Sequence, residues 1–178
     1  MQITITENGS REFYTEVVNI TTQYRPLLAK PDRRLRNNVG SMRTSFILSI
    51  VAFLLFAFLG VTYGFDMLNS VMMSLMVITG AISIFSYVRL KKLVDQFLED
   101  DRRSVVTLDE DGVEINKGDS QVVRLAWKTV AFVRAFKESV AFVSNDLTGL
   151  VLAVDKKYKD DILGYIRENN VDVTVIDA

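Results

Sequence analysis

The sequence predicts a membrane α-helical hairpin joined to a small α+β domain, and three observations lead to this fold class. Hydrophobic residues make up 49% of the 178 residues, yet the mean hydropathy is +0.19, so the apolar residues are concentrated in part of the chain. Two uncharged stretches, 44–65 and 67–88, supply that concentration and are separated by Asp66 alone. From residue 104 onward, short runs typical of β-strands alternate with turn residues such as Asp-Gly.

The two uncharged stretches are predicted to cross a membrane. At about 1.5 Å per residue each forms a helix of roughly 33 Å, and a bilayer core is about 30 Å thick. Buried core helices are the alternative, but they would need far more surrounding protein than this chain supplies. The short turn 66–70 makes the two helices an antiparallel hairpin. Neither span contains Asp, Glu, Lys or Arg, which argues against an ion pathway and favours close helix packing through small residues.

Charges on either side of the hairpin predict its orientation. The turn carries no Lys or Arg, whereas both flanks are basic, and cytoplasmic segments are enriched in such residues. We therefore expect both termini of this multi-pass chain in the cytoplasm and the turn on the other side of the membrane. The flanking basic residues are Lys30, Arg33, Arg34, Arg36, Arg43, Arg89, Lys91 and Lys92.

The segments next to the hairpin are predicted to fold together. Residues 2–6 alternate as in a strand, and a helix with one apolar face follows Ser10, an expected N-cap. The second span should continue as a juxtamembrane helix, whose apolar stripe suits either intrachain packing or a homodimer seam. Since the hairpin returns the chain close to where it left, we favour packing of the N-terminal segment on this helix or on the C-terminal domain. The two apolar faces comprise Phe13, Val17, Ile20, Tyr24 and Leu90, Leu93, Phe97, Leu98.

The C-terminal part is predicted to contain six short antiparallel strands followed by a helix. Asp155 is expected to cap that helix, which runs to about residue 169, and a last strand, 171–176, follows. This order is that of a pleckstrin-homology-like (PH-like) antiparallel barrel capped by a C-terminal helix, although periodicity alone also allows another small barrel or an α+β sheet. The extra last strand is free to pair with the N-terminal strand at a sheet edge. The six predicted strands are 104–108, 113–116, 121–125, 130–136, 139–144 and 149–154.

In this arrangement the chain resembles the bacterial YcxB-like family. Two stretches carry the resemblance: Val-Thr-Leu-Asp-Glu-Asp-Gly-Val-Glu-Ile at 106–115 and Val-Arg-Leu-Ala-Trp-Lys-Thr-Val-Ala-Phe-Val at 123–133. The family's aliphatic-Pro-Lys step before the last helix is absent, since 152–156 reads Leu-Ala-Val-Asp-Lys. The resemblance implies a multi-pass protein of a bacterial inner membrane, in which the hairpin carries a cytoplasmic PH-like domain, and it brings no catalytic motif. The segments so defined are 1–40 (N-terminal strand and helix), 44–65 and 71–88 (membrane helices), 66–70 (external turn), 89–102 (juxtamembrane helix) and 103–178 (PH-like domain).

The composition removes several classes of active site. The chain has no His and no Cys, which excludes disulfides, Cys or Ser–His nucleophiles and Cys/His zinc sites. The carboxylates at 99–101 and 109–111 are interpreted as a solvated helix end and a solvated turn. The net charge of −1 gives no general attraction to nucleic acid. We therefore expect a non-enzymatic protein with no cofactor, no metal and no nucleic-acid partner.

The expected function is that of a membrane-anchored binding module, whose PH-like domain recognises a protein partner that the sequence does not identify. One alternative is an immunity protein that neutralises a membrane-acting toxin, and another is the binding of lipid head groups. Trp127 is the only tryptophan and is interpreted mainly as a packing residue, but the residues around it are basic. The binding surface predicted from them comprises Arg124, Trp127, Lys128, Arg134 and Lys137.

Overall fold

The computed structural model describes residues 2–5, 9–99, 104–116, 122–146 and 149–176. The chain divides into two compact units. One unit is the hairpin of residues 37–93, and the other combines the chain before residue 37 with the chain from residue 94 onward. Residues 117–120, between the predicted strands 113–116 and 121–125, and the acidic residues Asp100 and Asp101 lie outside the described residues.

Two helices form the hairpin unit. Helix α3 spans Asn38–Tyr63, and helix α4 spans Met67–Glu99 and so continues beyond the unit. Both helices are long and apolar enough to cross a membrane. They begin earlier than predicted, at residues 38 and 67 instead of 44 and 71, because polar residues at a helix start do not interrupt its backbone hydrogen bonds. The turn between them is therefore only 64–66.

Small residues lie where α3 and α4 approach each other. Gly80 is buried, and a Cβ added to it would lie 3.4 Å from the Cβ of Ser49. The buried Ser49 hydroxyl donates to the carbonyl oxygen of Ser45 at 2.9 Å, so it is satisfied within its own helix. Outward-facing side chains are large and apolar; Phe58 is 66% exposed and Phe85 72%. Such a surface suits a lipid environment rather than water.

The second unit contains two four-stranded sheets built from the described strands. The first has the order β1-β2-β3-β4 with antiparallel neighbours, and the second has the order β7-β6-β5-β8, in which only β8 runs parallel to its neighbour. Helix α5, Lys159–Glu168, follows β7. The strands are β1 (Gln2–Ile5), β2 (Ser104–Leu108), β3 (Gly112–Asn116), β4 (Val122–Ala126), β5 (Val130–Ala135), β6 (Ser139–Ser144), β7 (Val151–Asp155) and β8 (Val175–Ile176).

The second sheet is covered on both faces. Successive side chains of a strand point to opposite faces, so β5 contributes to two cores. On one face Val133 and Phe142 pack with the first sheet and α5. On the other face Phe132 packs with Ile20 and Leu27 of the N-terminal helices. Every residue of β6 is buried as a result.

Helices α1 (Arg11–Thr22) and α2 (Tyr24–Ala29) provide the second cover. Ser10 caps α1, as the sequence predicts, since its Oγ accepts a hydrogen bond from the N–H of Phe13 at 3.1 Å. Pro26, which would be expected to end a helical segment, does not end this one. It lies in the first turn of α2, where its missing N–H costs no intrahelical hydrogen bond.

Helix α1 also contacts the last turns of α4. Arg11 Nη2 donates to Asp95 Oδ1 at 2.6 Å, and the rings of Tyr14 and Phe97 stack with their centroids 5.8 Å apart. Val94 is 2% exposed. The end of α4 therefore belongs with the N-terminal segment and the strands, in agreement with the division of the chain at residue 94.

The strands differ from the sequence predictions in two respects. The described strands form two sheets rather than a closed barrel. The last strand covers only Val175–Ile176 instead of 171–176, and it pairs with β5 rather than with β1. Alternation predicts that a segment is extended, but it does not specify which sheet edge the segment joins.

Candidate binding surface

Arg124 lies on β4, opposite the acidic turn between β2 and β3. Its Nη2 is 3.0 Å from Asp111 Oδ2 and 3.2 Å from Asp109 Oδ2. Asp109 also accepts hydrogen bonds from the backbone N–H groups of Asp111 and Gly112. Partial burial would raise the pKa of Asp109, but these hydrogen bonds and the charge of Arg124 lower it below its ordinary value. The charge of Arg124 is thus matched within the protein.

Trp127 occupies a 3-10 turn between β4 and β5 and is buried. Its Nε1 donates to the carbonyl oxygen of Asp109 at 2.8 Å, and its ring centroid lies 6.1 Å from that of Phe142. A buried indole that is hydrogen-bonded to the backbone has no polar group left to offer a ligand. Trp127 is therefore a packing residue, whereas the next residue, Lys128, is exposed.

Lys137 lies in the tight turn between β5 and β6. Its side chain is 85% exposed, and its Nζ lies 2.9 Å from the carboxylate of Glu138, whose hydrogen bond raises the pKa of Lys137. Glu16 of α1 binds the backbone of this turn. Its carboxylate accepts hydrogen bonds from the N–H groups of Lys137 (3.1 Å) and Glu138 (3.0 Å) and from the Ser139 hydroxyl (2.7 Å). The turn is thereby attached to the N-terminal helix.

Arg134 is buried, with 6% of its surface exposed. Its Nη1 donates to the carbonyl oxygens of Pro31 (2.5 Å) and Arg33 (2.7 Å), and its guanidinium lies 4.7 Å from the ring centroid of Phe136. Burial lowers the pKa of Arg134, and the nearby charge of Asp32 acts in the opposite direction. Arg134 therefore holds the backbone of the segment that leads into the hairpin.

The five predicted residues consequently do not form one exposed surface. Arg124 and Trp127 converge on Asp109, the first through the carboxylate and the second through the carbonyl oxygen. Arg134 is enclosed beneath residues 31–33. The two lysines are exposed on separate turns.

Residues 30–36, which we call the basic loop, form an exposed cationic segment, whose charges in the sequence indicate only the orientation of the hairpin. The loop holds four basic residues and one acidic residue, hence a net charge of +3. Lys30, Arg33 and Arg34 are exposed and make no ion pair with a described carboxylate. The loop ends two residues before the start of α3 at Asn38.

The backbone of the basic loop is held at both ends. Arg134 binds two of its carbonyl oxygens, as described above. Gln23 binds the other end, since its Nε2 donates to the carbonyl oxygen of Arg36 at 2.6 Å and its Oε1 accepts from the N–H of Arg36 at 3.0 Å. Leu35 packs against the core beneath. One sequence signal points to this arrangement: Arg134 is the only charged residue in the apolar run 130–136.

A separate feature of this unit is an open acidic cleft between the β2–β3 turn and α5. Its volume is about 570 Å³. Burial, and then the charges of Asp109 and Glu110, raise the pKa of Tyr165 at its wall. Within the described residues no group of three or more acidic side chains is arranged to hold a metal ion. The cleft is lined by Thr107, Leu108, Asp109, Glu110, Asp111, Tyr165 and Asn169.

Comparisons with protein-family models, curated proteins and solved structures find no match to this chain.

Proposed function

We propose that this protein is a membrane-anchored, non-catalytic binding module, in which a hairpin that enters the membrane interrupts a PH-like domain after its first strand. One observation carries the proposal. Strand β1 precedes the hairpin and β2 follows it, yet they pair in antiparallel register from Gln2↔Thr107 to Ile5↔Ser104. The first sheet is therefore completed by a strand from the other side of the hairpin in the sequence.

The succession of elements supports the PH-like assignment. Two antiparallel groups of strands, β2–β4 and β5–β7, are followed by α5, and Ile162, Leu163 and Ile166 of that helix enter the core shared with both sheets. This is the role of a capping helix. The N-terminal helices and β8 are additions to the pattern. A hairpin with such a domain is the arrangement of the YcxB-like family, to which we propose that the chain belongs.

The pairing of β1 with β2 also supports a specific topology. Both strands belong to one unit, so a hairpin that crosses a bilayer must leave and return on the same side. The Arg11–Asp95 hydrogen bond and the Tyr14–Phe97 stacking join the same two parts of the chain. With the basic flanks, this supports a topology with both termini in the cytoplasm of a bacterial cell and the turn 64–66 outside.

The edge of the first sheet is the part of the module best suited to a protein partner. Strand β4 pairs with β3 on one side, and no other described strand lies beside it. Val122 at its start is 58% exposed. An unpaired strand edge offers backbone N–H and C=O groups to an extended segment of another protein, which adds a strand to the sheet.

Single-cysteine labelling tests the topology, since the natural chain has no cysteine. Glu12→Cys, Asp66→Cys and Glu168→Cys place a thiol on α1, in the turn and on α5, all at exposed positions. In right-side-out vesicles a membrane-impermeant maleimide should label only the Asp66→Cys protein, and the chain should stay in the pellet after carbonate extraction. Labelling of all three variants, or release by carbonate, would contradict the anchoring.

Site-specific photocrosslinking in native membranes tests the binding role. A benzophenone amino acid at Val122 should give one discrete adduct with another protein, whereas the same group at exposed Glu168 should not. A second copy of this chain in the adduct would identify a homodimer through β4. Adducts of equal yield at both positions would contradict recognition at the β4 edge.

A further inference from the structure

We infer that the basic loop, residues 30–36, is a preorganised binding site for the phosphate groups of anionic phospholipids at the membrane surface where the hairpin enters. This inference rests on the proposed insertion of the hairpin. The ligand inferred for the loop is a phospholipid, which differs from the protein partner proposed for the edge of β4. The loop is close to the bilayer because only Asn37 separates Arg36 from the first residue of α3.

The loop has the charge that such a ligand requires. Its net charge is +3, and Lys30, Arg33 and Arg34 are exposed. No described carboxylate forms an ion pair with any of these three side chains, in contrast to Arg124, which bridges Asp109 and Asp111. Arginine guanidinium groups match phosphate oxygens in a bidentate geometry, and a basic residue beside an anionic membrane is attracted to its surface.

The loop also has a fixed shape, which distinguishes it from a flexible basic tail. The carbonyl oxygens of Pro31 and Arg33 face inward to the buried Arg134, and Gln23 binds both backbone groups of Arg36. Because the backbone is held from beneath, the loop side chains are directed outward at no further ordering cost to the backbone. Arg134 is thus a positioning residue that acts through the loop backbone and does not itself contact the lipid.

The test compares lipids that stay bound to the full-length protein. The chain is reconstituted in nanodiscs of phosphatidylcholine with a minority, roughly 30%, of anionic phosphatidylglycerol, which gives the bilayer a negative surface potential. Native mass spectrometry measures the ratio of the two lipids on the released protein. The wild type should enrich phosphatidylglycerol. Arg33→Gln with Arg34→Gln should lower this enrichment by up to about 30-fold, which corresponds to two cations at about 1 kcal/mol each. Both carbonyl oxygens that Arg134 binds are backbone atoms and are unchanged in this variant.

Two further variants separate specific binding from general charge and from folding. Lys156→Gln with Arg167→Gln removes the same charge from exposed positions outside the loop and should leave the enrichment unchanged. Arg134→Met keeps every exposed cation but removes the Nη1 donor to both carbonyl oxygens, and it should lower the enrichment in part. Fluorescence of the buried Trp127 checks that each variant is folded.

Several results would overturn the inference. Equal enrichment in wild type and Arg33→Gln/Arg34→Gln, or equal loss in the Lys156→Gln/Arg167→Gln control, would mean that the loop is not the site. Loss of the bound phosphatidylglycerol in the presence of millimolar glycerol 3-phosphate, the soluble head-group fragment, would indicate that the loop binds a free phosphate ligand instead of a membrane lipid. A protein that carbonate extracts from the membrane refutes the anchoring itself, whereas an anchored protein without enrichment refutes only the lipid site.

Discussion

Replacement of Glu16 by Gln tests how strongly the segment before the hairpin stabilises the strands after it. In the wild type the carboxylate, on a residue that is 9% exposed, accepts three hydrogen bonds from the β5–β6 turn. A hydrogen bond to a charged group contributes about 1.5–3 kcal/mol, and one between neutral groups about 0.5–1.5 kcal/mol. In the Gln variant the side-chain NH2 faces the N–H of Lys137, so that hydrogen bond is lost. The other two hydrogen bonds become weaker, because their acceptor is now neutral. We expect a loss of about 3 kcal/mol in the free energy of unfolding.

The assay is urea unfolding of the full-length protein in detergent micelles, followed by the fluorescence of Trp127. This single tryptophan lies in the core of the second unit, far along the chain from residue 16. Glu12→Gln is the matched control, since Glu12 is on the same helix, carries the same charge and is exposed. It should change the free energy of unfolding by less than about 0.5 kcal/mol. Equal unfolding curves for Glu16→Gln and Glu12→Gln would refute the structural role of Glu16.

Three other substitutions test separate contacts. Gly112→Ala places a Cβ against the backbone of Leu125, so strand β3 must shift, and thermal unfolding followed by circular dichroism should show a loss of at least about 2 kcal/mol. Because the pKa of Asp109 is lowered in the native protein, its carboxylate stabilises the fold at pH values above the ordinary pKa of aspartate, and this stabilisation is lost as the pH falls through the native pKa. Asp109→Asn should flatten that part of the stability–pH curve. Burial and the charge of Asp146 raise the pKa of Tyr24, whose hydroxyl donates to the carbonyl oxygens of Ser144 and Asp146. The stabilisation that Tyr24 gives is therefore present below the ordinary tyrosine pKa and is lost as the pH rises through the higher native value. Tyr24→Phe should therefore remove a late step from an ultraviolet titration of the tyrosines at alkaline pH.

Local patterns in the sequence predict most of the individual elements. The length of the two uncharged stretches predicts the two long helices. The Asp-Gly turn at 111–112 predicts the β2–β3 hairpin, whose strands pair from Val105↔Asn116 to Leu108↔Val113. The arrangement of sheets is not local. Residues 2–5 alternate as any edge strand would, and only the structure places them beside β2. A pairing across about a hundred residues leaves no short-range signal.

The candidate site was predictable only in part. Exposure of Arg124 follows from alternation along β4, and burial of Trp127 follows from its size and its position at a turn. The same alternation places Arg134 on one face of β5, but it gives no reason to expect that this face is covered. The cover is α1 and α2, which precede it by about a hundred residues. From the sequence alone, a charged residue in a strand is predicted to be exposed, because the elements that cover that face of the sheet are not known.

Disulfide trapping of β1 against β2 tests whether the two ends of the chain share one sheet. Thr4 is the register partner of Val105, which in turn is the partner of Asn116 on β3. Neighbouring strands lie about 4.8 Å apart, so cysteines at 4 and 105 are within the reach of a disulfide, whereas those at 4 and 116 are about 10 Å apart and beyond it. An engineered protease site in the turn 64–66 allows the two halves to be separated after oxidation in native membranes. If β1 completes the sheet across the hairpin, the cleaved halves of Thr4→Cys/Val105→Cys stay joined on a non-reducing gel and those of Thr4→Cys/Asn116→Cys separate. Separation of both pairs, or equal joining of both, would contradict a domain shared between the two ends of the chain.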